Sequence, residues 1–401
     1  MAKLINLTVF KKFLSSNTSG GILLIICVLI SIIIANTPLA NAFSNLLATP
    51  LGFENETIQL KYSFKQWVDD GLMAIFFLLV GLEIKRELVE GELSSPKKAA
   101  LPIIAAIGGA IVPALIYTFL NKGLPTEHGW GIPMATDIAF ALAIMTLLGN
   151  KVPVSLKIFL AALAIVDDLL AILVIAIFYS TDLHYNYLMY AAAILALLVA
   201  FNYFGVKNLF AYLIPGVFIW YFIHHSGIHA TIAGVLVAMT LPTTVDDKES
   251  PLEKLEHLLA NPVNFLIIPL FALVNTNITI HHEMVLGLST PLGLGIILGL
   301  FFGKTFGIFI TSWICVKLRI ANLPEKASWN QMIGVGMLGG IGFTMSIFIS
   351  MLSFKDPLFI EEAKFAILIG SLSSGFIGYL WLSTISKKYQ LQSEIEDESE
   401  N

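Results

Sequence analysis

Two aspartates stand side by side inside a long apolar stretch, "IFLAALAIVDDLLAILVIAIF" at residues 158–178. The stretch is long enough to cross a bilayer as a helix. A carboxylate at that depth costs roughly 2.5 kcal/mol or more, and two adjacent carboxylates also repel each other. Ionisable residues that are kept at such a cost are functional by default. Asp167 and Asp168 are therefore the first candidates for chemistry.

Two further charges lie in apolar surroundings. Asp137 follows Thr136 in "GWGIPMATDIAFALAI" (129–144), and Lys304 lies in "LGLFFGKTFGIFITSW" (298–313). One buried Asp–Lys pair would only fix helix packing. Three acids against one base leave negative charge over, so a proton or a cation must complete the balance.

These residue types predict a site that exchanges ions. Neighbouring residues on a helix point about 100° apart, so one aspartate can meet the Lys304 ammonium while the other faces a cavity. Two acids this close titrate as a coupled pair. Hard cations such as Na⁺ and Li⁺ prefer oxygen ligands, and the same oxygens cannot hold a proton and a cation at once. Competition for Asp167 and Asp168 would couple proton release to cation uptake.

The composition indicates which kind of secondary structure holds these charges. Of the 401 residues, 57% are hydrophobic and 13% are charged, whereas average soluble domains are about a quarter charged. Apolar runs of spanning length recur along the whole chain, which predicts an all-α polytopic membrane protein in a lipid bilayer and excludes a soluble catalytic domain. Cys27 and Cys315 lie in apolar segments and predict no disulfide framework.

Hydropathy predicts about twelve transmembrane helices. They lie near residues 20–36, 68–88, 99–120, 130–148, 156–179, 187–204, 209–223, 228–241, 258–276, 292–316, 332–353 and 364–385. We expect a single transmembrane domain over residues 1–388, followed by a disordered acidic tail at 389–401. Between the first two spans, "ATPLGFENETIQLKYS" (48–63) contains turn residues and alternating Ile58, Leu60 and Tyr62, which predicts a short outer-face β-hairpin or else a solvated loop.

Basic residues set the predicted orientation. With both termini in the cytoplasm, most Lys and Arg residues fall in cytoplasmic segments, as the positive-inside rule requires. The exceptions in outer loops are Lys61, Lys65, Lys122, Lys355 and Lys364. Lys304 belongs to neither side.

Two spans contain residues that break helices. The fourth has two glycines and a proline just before Asp137, and the eleventh, "GVGMLGGIGFTMSIFI" (334–349), has five glycines. Unwound backbone at membrane depth is tolerated only against protein or around a cavity. Asp137 near the positive ends of half-helices and Lys304 near the negative ends would offset their dipoles. Close helix packing through small residues is the alternative for the glycine-rich span.

A third group of charges lies on the predicted cytoplasmic side. "GLEIKREL" ends the second span with Glu83, Lys85, Arg86 and Glu87, and "EKLEHLL" precedes the ninth with Glu256 and His257. One interpretation is an ordinary charged interface. The other is a network that attracts cations and senses pH, in which the histidine titrates nearest neutrality.

At these motifs the sequence resembles the NhaA family of bacterial Na⁺/H⁺ antiporters. The resemblance runs through "FFLLVGLEIKREL", "AAIGGAIVPALIY", "PMATDIAFALAI", "LAALAIVDDLLAILVIAIFY", "SGIHATIAG", "PLFALVN" and "GIGFTMSIFI". It covers nearly the whole chain except the acidic tail and residues 49–66. Interrupted helices are a known feature of that family, so they belong to the resemblance rather than supporting it separately.

The resemblance implies twelve helices with two inverted three-helix repeats, near 99–179 and 292–385, whose broken helices cross. It implies that Asp168 is the main Na⁺ ligand, aided by Asp167, which would also be the proton-linked partner of Lys304. Thr136, a further cation-binding residue, and Asp137, which would take part in transport, would lie at the crossing. No cofactor and no nucleic-acid partner are expected.

The resemblance also implies how the protein operates. Such antiporters of the bacterial inner membrane exchange cytoplasmic Na⁺ or Li⁺ for a larger number of external H⁺, and serve sodium and pH homeostasis. A cytoplasmic cluster, here Glu83, Arg86, Glu87, Glu256 and His257, would activate exchange at alkaline pH. Residues 49–62 would join two copies into a homodimer. Where some members carry a second histidine this chain has Ala260, which bears on the pH of activation.

Two other classes of membrane protein also use acidic residues within the bilayer. A passive cation channel usually places acids in rings around an axis, and a buried lysine beside the site would oppose conduction. An intramembrane aspartyl protease typically carries a Gly-x-Gly-Asp motif, and no aspartate in this sequence follows that pattern. The antiporter is the favoured prediction, with the channel as the alternative.

Overall fold

The computed structural model describes residues 17–55, 59–180, 183–243 and 250–400, and side chains as far as residue 385. Among these residues, seven helices are long and apolar enough to cross a bilayer, or up to nine if each of two bent pairs is one span. This agrees with the predicted polytopic membrane protein. The count of twelve spans and the inverted repeats stay predictions.

The helices follow one another with short connections. In chain order they are α1 (Asn17–Ala35), α2 (Ala40–Ala48), α3 (Met73–Val89), α4 (Pro96–Asn121), α5 (Ile138–Leu147), α6 (Val154–Phe178), α7 (Tyr185–Tyr203), α8 (Phe210–His224), α9 (Ile232–Thr240), α10 (Pro251–Pro262), α11 (Ile268–Asn275), α12 (His282–Gly287), α13 (Pro291–Leu298), α14 (Lys304–Lys317), α15 (Trp329–Gly339), α16 (Phe343–Ser353) and α17 (Pro357–Glu400). Wider π-helical turns precede α3, α11 and α14, at Trp67–Leu72, Val263–Ile267 and Gly299–Gly303.

The first interruption lies before α5. Residues Glu127–Met134 form a 3₁₀ helix, and residues 135–137 are non-helical before α5 begins after Asp137. Pro133 lacks a backbone N–H and its ring crowds the preceding turn, so a regular α-helix is not continued here. The predicted break in this span is confirmed.

The second interruption separates α15 from α16. The two helices meet at an angle of 46° across residues 340–342. An added Cβ at Gly340 would come within 2.2 Å of the Leu300 carbonyl oxygen. The chain can pass this close to its neighbours only without a side chain, which explains the glycines of the motif.

The chain forms two compact units. Of the described residues, the first contains 17–22, Ser95–Ala171 and 281–400. In this unit α4 and α14 approach closely. An added Cβ at Gly307 would lie only 2.2 Å from the carbonyl oxygen of Gly108. Small residues thus let two backbones touch, as in many membrane helix pairs.

The second unit contains Leu23–Ser94 and Ile172–Ile280. Its core is a cluster of buried side chains that includes Leu82, Leu198 and Tyr212. It also holds the predicted hairpin: β1 (Pro50–Leu51) pairs antiparallel with β2 (Tyr62–Ser63), Leu51 opposite Tyr62. The hairpin prediction is therefore confirmed, although Ile58 lies outside the described residues.

Lys364 corrects one assignment. The distribution of basic residues placed Lys364 in an outer loop, at the predicted start of the twelfth span near 364–385. In the structure α17 begins earlier, at Pro357, and Lys364 lies inside it with only 7% of its surface exposed. The backbone of α17 is helical through the acidic residues to Glu400. Side chains beyond residue 385 are outside the description, so the disorder of the tail and the single domain over 1–388 stay predictions.

Candidate functional site

The buried charges of the first unit lie together. Asp137, Asp167 and Asp168 are at most 3% exposed, and Thr136 and Lys304 are fully buried. A charge in such a dry interior is tolerated only when other charges or hydrogen bonds stabilise it. The contacts of each side chain therefore define what the site can do.

Lys304 and Asp167 form an ion pair. The Lys304 ammonium donates to Oδ2 of Asp167, and the Thr136 hydroxyl lies 2.5 Å from the same oxygen. The other oxygen, Oδ1, is buried with no hydrogen-bond partner among the described residues. The carboxylate is thus held through one oxygen, while the second retains its capacity to accept a proton or to bind a cation.

The backbone around Lys304 explains its position. Lys304 is the first residue of α14 and directly follows the π-helical turn Gly299–Gly303. Such turns are frequently found at functional sites. The aliphatic stem of Lys304 passes Gly109 of α4, where an added Cβ would be 3.6 Å from its Cδ. That distance is an ordinary van der Waals contact, and the tighter limit at Gly109 is the Ile308 side chain, 2.8 Å from the added Cβ.

Asp168 completes the group of charges. It follows Asp167 on α6 and is 2% exposed. Its carboxylate interacts electrostatically with Lys304, so the lysine is influenced by both neighbouring acids. Two carboxylates thus interact with one ammonium, and a proton or a cation would balance the second.

Asp137 binds the N-termini of two helices. Its Oδ1 accepts the N–H of Phe140 at 3.1 Å and so caps α5. Its Oδ2 accepts both the N–H of Thr344 at 3.1 Å and the Thr344 hydroxyl at 2.5 Å, at the start of α16. A carboxylate is well suited to this place, because helix N-termini carry a partial positive charge.

Further contacts join the two interruptions directly. The Asp137 N–H donates to the Ile341 carbonyl at 2.6 Å, and Ser346 donates to the Ile132 carbonyl at 2.7 Å. The Thr136 hydroxyl also lies 2.7 Å from the carbonyl oxygen of Gly339, the last residue of α15. The hydroxyl has one proton, and the charged Asp167 oxygen at 2.5 Å is the stronger acceptor, so Thr136 donates to the Gly339 carbonyl only when its hydroxyl turns away from Asp167.

Sequence reasoning found the charges of this site but missed three of its hydroxyl groups. Thr344 and Ser346 lie in the motif "GIGFTMSIFI", and Ser371 accepts the N–H of Phe343 at 3.1 Å. The Gly-Phe-Thr step in that motif was a signal for Thr344. Ser371 lies in an ordinary helix, and its sequence gives no comparable signal.

The five residues of the predicted pH-sensing cluster lie together in the second unit. Arg86 pairs with Glu256 at 2.6 Å and with Glu87 at 3.2 Å. Glu83 and His257 both interact electrostatically with Glu256. Among the described residues, Oε2 of Glu256 is buried without a hydrogen-bond partner. The cluster is therefore a network around one buried carboxylate rather than a row of solvated charges.

Lys85 has a different place from its neighbours in sequence. Its ammonium donates to the carbonyl oxygens of Met239 at 2.7 Å and Leu241 at 2.5 Å, at the end of α9. A cation there satisfies carbonyls that have no partner within the helix. Part of the charged "GLEIKREL" run thus stabilises a helix end.

Comparison with known proteins agrees with this geometry. The family model of the Na⁺/H⁺ antiporter 1 family matches residues 11–382. The chain is 63% identical over 393 residues to Na(+)/H(+) antiporter NhaA 2 of Flavobacterium johnsoniae, covering 98% of this chain and 96% of that protein. It is 49% identical over 385 residues to Na(+)/H(+) antiporter NhaA of Flavobacterium psychrophilum, with 96% and 98% covered.

A more distant relative gives the same result. Na(+)/H(+) antiporter NhaA of Caulobacter vibrioides is 47% identical over 388 residues, covering 95% of this chain and 92% of that protein. The matches extend over nearly the whole of each protein, and the residues matched by the family model span the buried site. The chain belongs to the Na⁺/H⁺ antiporter 1 family of membrane transporters, and is not an enzyme.

Proposed function

We propose that this protein exports Na⁺ or Li⁺ from the bacterial cytoplasm in exchange for external H⁺, across the inner membrane. The observation that carries the proposal is the Lys304–Asp167 ion pair beside Asp168, buried in one unit. The relatives named as Na⁺/H⁺ antiporters support the exchange reaction. Export of Na⁺ coupled to H⁺ entry would serve sodium and pH homeostasis.

The proposed exchange is a competition for carboxylate oxygens. Asp168 and the unpartnered Oδ1 of Asp167 are hard oxygen donors, which suit Na⁺ and Li⁺. A cation bound by both acids competes with the Lys304 ammonium for Asp167. We propose that Asp168 and Lys304 each lose a proton when one cation binds, and that each regains a proton when the cation leaves.

This scheme makes the exchange electrogenic. Two protons that enter for each Na⁺ or Li⁺ that leaves carry one net positive charge inwards. A membrane potential that is negative inside then drives the cycle, at about 2.3 kcal/mol per charge for each 100 mV. The potential adds to the proton gradient and sustains export at alkaline pH.

The cluster around Glu256 is the proposed site of alkaline activation. Glu83, Arg86, Glu87, Glu256 and His257 interact as one network. The cost of a buried carboxylate depends strongly on the charges beside it, so a proton lost from one member changes the pairing of the others. We propose that this change permits exchange when the cytoplasm becomes alkaline.

Orientation and assembly complete the proposal. The distribution of basic residues supports cytoplasmic termini. The outer hairpin exposes the apolar side chains of Leu51 and Phe53, which are 44% and 58% exposed. Exposed apolar groups on a short strand favour association, and we propose that residues 49–62 of two copies form a homodimer.

The channel alternative is not supported. A passive pore for cations would have to conduct past Lys304, whose charge opposes entry of another cation. The relatives are named as antiporters, and a channel finds no support among them.

The test uses everted membrane vesicles from a host without its own antiporters, acidified inside by respiration. A NaCl or LiCl pulse is given at about pH 7, within the range where histidines titrate, and at about pH 8.5, above that range. Proton efflux from the lumen, stronger at the higher pH, is the expected result. Asp168→Asn, inserted at wild-type level, should give no response. Proton movement that persists in that variant, or current without coupled proton flux, would contradict the proposal.

A further inference from the structure

The residue at the N-cap of α16 has no side chain that could bind the first N–H groups of the helix. Its N-cap residue is Gly342, where an added Cβ would lie 2.2 Å from the Ser346 Oγ and 3.0 Å from the Ala135 carbonyl oxygen. No side chain fits there. The first N–H groups of a helix have no partner within it, so these groups need partners from elsewhere in the unit.

Two different elements supply those partners. The Thr344 N–H donates to Asp137, as described above, and the Phe343 N–H donates to the Ser371 Oγ at 3.1 Å. Ser371 lies on α17 and is 5% exposed. The first N–H of the helix is therefore bound by the last helix of the unit, and the second by the other interrupted segment.

A second serine shows how closely α17 follows the interruption. Ser374, almost one turn further along, is fully buried, and an added Cβ at Gly340 would lie 2.7 Å from its Oγ. α17 thus presents two hydroxyl groups to residues 340–342, and the Ser371 hydroxyl is the one that binds a helix N–H.

We infer that Ser371 is a positioning residue of the exchange site: its hydroxyl caps α16 and thereby fixes Thr344, Asp137 and the adjoining Thr136. It contacts no transported ion. The chain of contacts from Ser371 to the ion pair is short. Ser371 binds Phe343, and the next residue, Thr344, donates to Asp137. Asp137 directly follows Thr136, whose hydroxyl contacts Asp167. This inference rests on the proposed Na⁺/H⁺ exchange.

The expected effect is on cation affinity rather than on the amount of folded protein. Without the Ser371 hydroxyl, the Phe343 N–H is buried without a partner, and the start of α16 shifts to find one. Thr344 and Asp137 shift with it. The Na⁺ concentration for half-maximal exchange should rise about threefold to tenfold, the effect of one hydrogen bond, while the maximal rate at saturating Na⁺ changes less.

The test compares Ser371→Ala with Ser371→Thr, which keeps the hydroxyl, and with Ser373→Ala, a half-buried serine on the same helix. All are measured in the everted vesicles over a range of Na⁺ concentrations. We expect raised half-saturation for Ser371→Ala, recovery in Ser371→Thr, and wild-type values for Ser373→Ala. Half-saturation within twofold of wild type in Ser371→Ala, or an equal loss in Ser373→Ala, would overturn the inference.

Two additions separate the possible failures. Ser371→Cys replaces Ser371→Ala if the alanine variant does not insert in the membrane. Cysteine fills the same space but accepts hydrogen bonds weakly, so the half-saturating Na⁺ concentration should lie between those of wild type and of a variant without the hydrogen bond. Combining Ser371→Ala with Thr344→Val should raise half-saturation by less than the product of the single effects, since both act on one helix end. A full product would contradict the inference. No exchange in the wild type would instead reject the proposed function.

Discussion

The Thr136 hydroxyl lies 2.5 Å from Asp167 Oδ2, the same oxygen that receives the Lys304 ammonium. The neighbouring Oδ1 is left without a hydrogen bond among the residues described. Two donors on one oxygen fix the orientation of the carboxylate, so the other oxygen has a defined direction. A cation that binds Oδ1 would meet a ligand that is already oriented.

Thr136→Val should therefore weaken cation binding. It keeps the shape of the side chain and removes the hydroxyl, so Asp167 loses one of its two orienting donors. We expect the half-saturating Na⁺ concentration to rise about threefold to tenfold, measured in everted vesicles. Thr136→Ser keeps the hydroxyl and should remain near wild type. Equal values for the two variants would show that the hydroxyl has no part in binding.

Lys304→Met should destabilise the folded protein by about 3–5 kcal/mol, because it leaves the Asp167 charge buried without its ammonium partner. Thermal unfolding of purified protein in detergent measures the loss. Adding Asp167→Asn removes the unpaired charge and should recover most of the stability, while exchange stays abolished. Lys317→Met, an exposed lysine at the other end of α14, is the control. A double variant as unstable as Lys304→Met would contradict the ion-pair explanation.

Thr344→Val should alter the site from the second interrupted helix. It removes the hydroxyl that donates to Asp137 at 2.5 Å but keeps the backbone N–H that donates to the same oxygen. We expect a rise of about threefold to tenfold in half-saturating Na⁺, with normal insertion. Thr344→Ser should behave like wild type. If Thr344→Val does too, the backbone bond alone is sufficient to hold Asp137.

Arg86→Gln should move the activation of exchange to higher pH. Arg86 is the cation paired with Glu256 and Glu87, and its removal makes ionisation of Glu256 less favourable. Activation that needs the ionised acids then requires a more alkaline medium, by about one pH unit. Exchange rates across a pH series measure the midpoint. Lys254→Gln, an exposed charge on α10, is the control; an equal shift there would indicate a general surface effect.

Replacement of Leu51 and Phe53 by aspartate should reduce dimer formation. Both are exposed apolar residues of the hairpin, and two charges on this surface oppose close approach of a second copy. Chemical cross-linking in membranes and native mass spectrometry measure the dimer fraction. Lys61→Ser is the control, because it changes an exposed residue of the same hairpin without adding a negative charge. An unchanged dimer fraction in the double variant would place the contact elsewhere.

The positions of the acids and of the two interruptions were predictable from the sequence. A charge in an apolar span and a proline or glycine cluster in a helix are local signals, and Asp167, Lys304 and Pro133 each carry one. The structure adds the relationship between them. Lys304 directly follows a π-helical turn, and such a turn has no distinct hydrophobic period by which the sequence could reveal it.

The serine hydroxyl groups were beyond sequence reasoning for a different reason. A serine in a membrane helix often bonds to its own backbone, so Ser371 and Ser346 look like many other residues of the chain. Their roles arise from contacts with residues far away in sequence. The prediction for Lys364 was wrong for another reason. Its charge was taken to mark the start of the last span, whereas helix α17 begins at Pro357.

The pairing of Asp137 with Thr344 also has a consequence for biogenesis. The two residues are 207 positions apart, and the contacts of Thr136 with Gly339 and of Ser346 with Ile132 span similar distances along the chain. A ribosome that inserts this protein segment by segment delivers Asp137 to the membrane long before its partners exist. During that interval the interrupted helix carries an unpaired acid and unsatisfied backbone groups. The newly made first half must therefore be sheltered, by water at the translocon or by a holding factor, until the last helices arrive.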